Sequence, residues 1–179
     1  MDKNLGDDTH ATGVGTAGTS VVATEYGDGK HHVTKLVITA LSQVVGDNAS
    51  LGVGSVIYTF PTGIIAIKAA GGSVAITVDF ATKTDTPEIG LGTLIASTAI
   101  ATLGAGNAAM EDICDGIATA DCNGTARLMD SKLGELTKVM AAADSHVVNL
   151  NYADAWVDSS ADTGSSVTGT VWLDWTLLA

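Results

Sequence analysis

The sequence predicts a mainly β protein, an antiparallel β-sandwich with one short covering helix, and three observations carry that prediction. Apolar segments of strand length recur about every ten residues, the spacing of sandwiches and barrels. Thr and Val are frequent and 21 glycines punctuate the chain, a composition that suits pleated strands and tight turns better than a helical bundle. Hydrophobic residues reach 46% while aromatics stay at 4%, so the core has to be built from Val, Ile, Leu and Ala. At 179 residues the length is that of one domain, or one domain plus a tail.

Residues 1–18 (MDKNLGDDTHATGVGTAG) are polar, acidic and rich in Gly and Thr. They bury too little apolar surface to offset their own ordering, so they read as a flexible arm or one ordered by a partner, ahead of a single sandwich domain over 19–179. Residues 31–42 then read as a strand with Val33, Lys35, Val37 and Thr39 on one face and Thr34, Leu36, Ile38 and Ala40 on the other. Three short strands follow at 54–60, 63–69 and 73–80, with Pro61, Gly63 and the Gly71-Gly72 pair marking turns between them. Asp85-Thr86-Pro87-Glu88 reads as a loop, and 91–103 as a further strand-like run.

The helix is expected over 107–118. Met110, Ile113, Cys114 and Ile117 fall at helical spacing, Glu111, Asp112 and Asp115 take the other face, and Asn107 serves as the cap. Residues 129–142 fit a helix or a bent strand equally. The end of the chain is clearer, with alternation over 146–152 and 167–178. In the last strand Val171, Leu173, Trp175 and Leu177 form an apolar face that predicts the core. Trp172 and Leu178 then lie on the opposite face beside Asp174, where Trp172 is either covered by the short helix or a loop of the same chain or, left exposed, predicts a subunit interface.

A formal net charge of −12, with eight Lys and Arg in all, argues against nucleic acid as a partner and against anionic membrane surfaces. No segment has the form of a secretory signal, and the apolar runs are all interrupted by Gly, Thr or Ser short of a membrane span. Synthesis in the cytoplasm is the direct expectation.

The motifs that carry chemistry in other proteins lack their context here. Gly13-Val-Gly-Thr-Ala-Gly18 matches G-x-G-x-x-G, but a dinucleotide site needs a buried strand before it and a helix after it, and a polar tail precedes it. Cys114 and Cys122 have no matching His spacing for zinc; they read as reduced cysteines or as a disulfide closing a loop. His31 and His32 begin a strand and so point to opposite faces, His10 lies in the tail and His146 beside a turn. Asp154, Asp158 and Asp162 surround Trp156 in a polar loop but lack the alternate-residue spacing of a calcium loop. Asp85, Glu88, Glu111 and Asp112 offer carboxylates that nothing in the sequence gathers into a pocket. Asn48 and Asn123 head glycosylation sequons that matter only in a secreted chain. No elbow serine, P-loop or His-Glu-x-x-His is present. No enzyme, metal or cofactor is expected.

Six phrases, in this order and spacing, carry a resemblance. They are Ile57-Tyr-Thr-Phe-Pro-Thr-Gly63, Asp85-Thr-Pro-Glu-Ile-Gly-Leu-Gly-Thr93, Glu111-Asp-Ile113, Asp121-Cys-Asn-Gly-Thr-Ala126, Tyr152-Ala-Asp-Ala-Trp156 and Thr168-Gly-Thr-Val-Trp-Leu173. Together they resemble small virion-associated proteins of tailed bacteriophages, many from aquatic phages, over residues 54–177. None of the phrases carries known chemistry, so no functional residue transfers. The resemblance implies a capsid decoration (cement) protein, a jelly-roll-like sandwich present in many copies. Its partners would be the major capsid protein and copies of itself, on the outer capsid surface of the virion. An acidic chain suits that surface better than the DNA-facing lumen. The competing readings are a tail or host-recognition component, and a carbohydrate-binding sandwich module using Trp156 with Asp154 and Asp158.

Overall fold

The computed structural model describes residues 15–27, 30–45, 51–78, 87–118, 123–130, 138–153 and 163–178. Two antiparallel sheets face each other. The first holds five strands in the order β1 (Thr16–Ala17), β4 (Gly52–Thr59), β10 (Val147–Ala153), β6 (Glu88–Gly92) and β7 (Cys114–Ala118). The second runs β2 (Val21–Gly27), β3 (His31–Val45), β11 (Thr163–Leu177), β5 (Ile65–Val78) and β8 (Asn123–Asp130), with β9 (Lys138–Met140) also paired to β5.

The pairing is nested. β3 joins β11, β4 joins β10, β5 joins β8 and β6 joins β7. A ribbon of such hairpins, rolled so that its halves fall in two sheets, is the jelly roll. The sandwich expectation therefore holds, with the jelly-roll strand order.

The core follows from alternation. In β3, His32, Thr34, Leu36 and Ile38 are buried, and then the phase changes so that Leu41 and Gln43 point inward. The change is a bulge: Val167 pairs with Leu41 but Gly169 with Ile38, and Ala40 takes φ 48°. Opposite, Val171, Leu173 and Trp175 are fully buried, and Leu177 packs at the rim of the core. Trp175 stacks on His32 at 4.1 Å, meets Phe60 edge-on at 5.1 Å, and donates from Nε1 to Thr34 Oγ1 at 2.8 Å. Its one polar atom is thereby satisfied, which lets the largest side chain sit in an aliphatic core.

Several expectations change. The helix over 107–118 does not form. The helical residues are Leu103–Gly106 (α1) and a 3₁₀ turn, Ala108–Met110, on which Asn107 accepts from Ala109 N at 2.9 Å. Ile113 and Cys114 are buried, and Cys114 begins β7, because β6 pairs with that segment across a register shift. The irregularity lets inward positions fall three and four apart, which imitates helical spacing. Gly71-Gly72 is no turn: β5 runs straight through it. A Cβ on Gly72 would lie 2.3 Å from Thr170 O, so the glycine permits close backbone approach to β11. The run at 91–103 ends as a strand at Gly92 and continues as a loop, while 129–142 contributes the end of β8 and all of β9. Thr16 and Ala17, read as part of the arm, form β1 of the first sheet, with Thr16 opposite Thr59 and Ala17 opposite Tyr58. Residues 1–14 lie outside the described residues.

Candidate functional site: the outer face of the six-stranded sheet

Three rows of cross-strand neighbours build this face. Val22, Val37, Thr170, Ser73 and Leu128 form one row; Thr24, Lys35, Trp172 and Gly71 form the next; Tyr26, Val33, Asp174 and Ala69 form the third. Most of these side chains are small, aliphatic or aromatic. Val22 is 66% exposed, Leu128 78% and Trp172 41%. Trp172 lies beside a glycine, so its ring has no bulky neighbour on the β5 side. On the other side Tyr26 stacks at 6.2 Å and 25°, and Lys35 Nζ sits 5.4 Å from the indole centroid. The cation favours the face of an electron-rich ring. Its own strand neighbours thus hold Trp172 in place without covering it.

Leu178 is 55% exposed but lies apart from this cluster. Six residues separate it from Trp172, about 20 Å along an extended chain. The sequence placed Trp172 on an outer face and missed its supports, Tyr26 and Lys35, and its companions Val22 and Leu128. The alternation of Val22, Thr24 and Tyr26 was the available signal, but pairing β2 with β3 requires knowledge of the register.

The other candidate side chains have structural partners. Glu88 Oε2 accepts from Leu103 N at 2.6 Å, and Glu111 Oε2 from Gly116 N at 2.9 Å. Asp112 accepts from Thr93 N and Thr93 Oγ1, both at 2.9 Å, and pairs with Lys138 Nζ at 2.6 Å. These carboxylates tie the loop between β6 and β7 to the sheet. His31 Nε2 lies 2.7 Å from the exposed Asp174, and His146 Nε2 lies 2.9 Å from Ala141 O. His32, expected as an ordinary strand-end or surface residue, is buried, because it shares the inward face of β3 with Thr34, Leu36 and Ile38 and stands opposite Trp175. Cys114 is buried in β7, whereas Cys122 lies outside the described residues. So do His10, Asp85, Asp154, Trp156, Asp158 and Asp162. Among the described residues no three His, Cys, Asp or Glu side chains converge as metal ligands, and no helix is long and apolar enough to cross a membrane.

A polar cluster that the sequence did not announce joins the two sheets. Gly15 N donates to Tyr58 Oη at 3.0 Å, and Tyr58 Oη donates to Glu25 Oε2 at 2.7 Å. Glu25 Oε1 lies 3.0 Å from His32 Nδ1, close enough for electrostatic attraction but poorly aligned for a hydrogen bond. Burial is the largest influence on Glu25 and lifts its pKa above the ordinary 4.5, against the Tyr58 hydrogen bond and the attraction of His32. Burial likewise pushes the Tyr58 hydroxyl upward, and the neighbouring Glu25 adds to the shift.

No protein-family profile matches the sequence, and no curated protein is significantly similar to it. Among solved structures, the chain is similar to one described as the structure of infectious bursal disease virus Gx strain. The identity is 12% and the TM-score 0.36; the match covers 87% of this chain and 39% of that one. The chain thus spans well under half the length of the structure it matches.

Proposed function

We propose that this chain is a non-enzymatic virion structural protein, a decoration (cement) protein on the outer surface of a tailed-phage head. It is made in the host cytoplasm and joins the head by packing against the major capsid protein and against copies of itself. The observation that carries the reading is the outer face of the six-stranded sheet, where Trp172 stands 41% exposed among Val22, Leu128 and Gly71. A large aromatic held rigidly by its neighbours and left open to solvent has the character of an interface anchor. The nested jelly-roll strand order supports it, being an architecture used in viral shells as well as in lectins. The phrases between Ile57 and Leu173 that resemble phage virion proteins support it independently.

The test is reconstitution. Heads lacking the protein are mixed with wild type or with Trp172→Ala, and bound copies are counted by quantitative mass spectrometry and located by cryo-electron microscopy. Wild type should occupy the shell lattice at regular sites, and the folded variant should fail to bind. Binding confined to the tail, or undiminished binding of the variant, overturns the reading.

A further inference from the structure

On the other sheet, a groove crosses the outer face between the loop after β6 and the turn before β10. Two adjoining cavities make it up. One, of about 270 Å³, is walled by Val56, Ile95 and Val147 with Asn149 among its lining; the other, of about 320 Å³, reaches Lys138, Met140 and Asp144. Thr93, Leu94 and Ser145 line both. Val56, Leu94 and Ile95 are exposed there at 36%, 40% and 44%. Asn149 is 1% exposed; its Nδ2 donates to Gly92 O at 3.2 Å, while its Oδ1 has no partner among the described residues. An aliphatic trough beside an unsatisfied buried acceptor suits an extended peptide, which brings a side chain to the trough and a backbone N–H to the acceptor.

We propose that the occupant is this chain's own N-terminal segment, residues 1–14, with Leu5 as the anchor. The path of the chain argues for it. Thr16 pairs with Thr59, and Thr59 pairs with Val147 in the groove wall. β1 therefore lies two strand spacings, about 10 Å, from Val147. Upstream of Thr16 the chain heads toward the end of the sheet where Phe60 N donates to His146 O, next to Ser145 and Asp144 of the groove. Leu5 precedes Gly15 by ten residues, an extended reach of up to about 33 Å. Leu5 is a large aliphatic residue in the interior of the segment, far enough from Thr16 to lie along a trough, whereas Val14 is too close to β1 to reach it. The tether gives an effective concentration of about millimolar, so a contact too weak to hold a free peptide tightly still fills the groove. The proposal is independent of the capsid reading, since it concerns the opposite sheet and a single chain.

Methyl-labelled protein in solution tests it by NMR. Deleting residues 1–14 should shift the methyl resonances of Val56, Leu94, Ile95 and Val147 while leaving those of Val22 and Leu128 in place. Leu5→Asp in the full chain should reproduce the groove shifts, and a synthetic peptide of residues 1–14 should reverse them in the truncated protein. Unmoved groove methyls on deletion, or equal shifts at Val22 and Leu128, overturn the proposal. So do groove shifts in the full-length protein that change on tenfold dilution, because the segment would then come from another copy.

Discussion

The two tryptophans of β11, three residues apart, have opposite surroundings, and their substitution should show it. Trp175 is fully buried between His32, Phe60 and Thr34, so Trp175→Ala should cost about 3–5 kcal/mol of stability in urea denaturation, the range for a buried large aromatic. Trp172→Ala removes a half-exposed ring and its contacts with Tyr26 and Lys35, and should cost about 1 kcal/mol. Equal costs would mean that Trp172 is covered after all. A second residue-scale prediction follows from Glu25. Because its pKa is raised, the folded state holds that proton more tightly than the unfolded chain does. Its contribution to stability is fully present below about pH 4.5 and is lost as pH rises through the higher folded value. Glu25→Gln keeps the shape and removes the charge. The variant should melt above wild type at neutral pH, and the gap should close as pH falls toward 4.5. A gap that widens in acid refutes the burial argument.

At the scale of elements, the loop from Thr93 to Met110 has little regular structure and is fastened to the sheet by Glu88, through Leu103 N, and above all by Asn151. Asn151 Nδ2 donates to Leu94 O at 2.8 Å and Met110 O at 2.6 Å, and Asn151 Oδ1 accepts from Ala96 N at 2.8 Å. Asn151→Leu strands three backbone groups, each worth roughly 1–3 kcal/mol when buried without a partner. The expected loss is about 3 kcal/mol or more, with faster hydrogen exchange at Ala96 than at the strands around it. The β3 bulge offers the opposite case. Ala40 is exposed and holds φ 48°, a left-handed conformation that costs a residue with a Cβ about 1–2 kcal/mol. Ala40→Gly relieves that strain while adding unfolded-state freedom, so a net gain of about 0.5–1 kcal/mol should appear in the denaturation midpoint.

For the whole molecule, the nested pairing sets the order of dependence. β11 lies between β3 and β5, so His31 at the start of β3 waits for Thr176 near the chain's end. Closing such long loops before any contact rewards them makes folding slow, on a scale of milliseconds to seconds or longer. Truncation after residue 162 removes the central strand of one sheet and its five buried or rim apolar residues, Val167, Val171, Leu173, Trp175 and Leu177, and should abolish folding altogether. Deletion of residues 1–14 leaves every described strand in place and should preserve the cooperative unfolding transition. A truncated chain that still shows a sharp transition without β11 would contradict the strand order.

What the sequence determined by itself was local and periodic. Alternation in 31–42 put Leu36 and Ile38 together on one face, and in 167–178 it placed Val171, Leu173 and Trp175 on the inner one, since a side-chain period of two belongs to any strand with one buried face. What only the tertiary structure decided was pairing. Cys114 and Ile117 kept helical spacing with Ile113 in the sequence and became part of a bulged edge strand that starts just after Ile113, because β6 lay beside them. Gly71-Gly72 had the composition of a turn and became the middle of a long strand because β11 approached it closely. The outer face around Trp172 drew Val22, Lys35, Gly71 and Leu128 from four strands far apart in the chain, and no window of sequence contained them. Propensity acts over a few residues, whereas register is set by contacts between distant ones, and here those distant contacts decided both the helix and the candidate site.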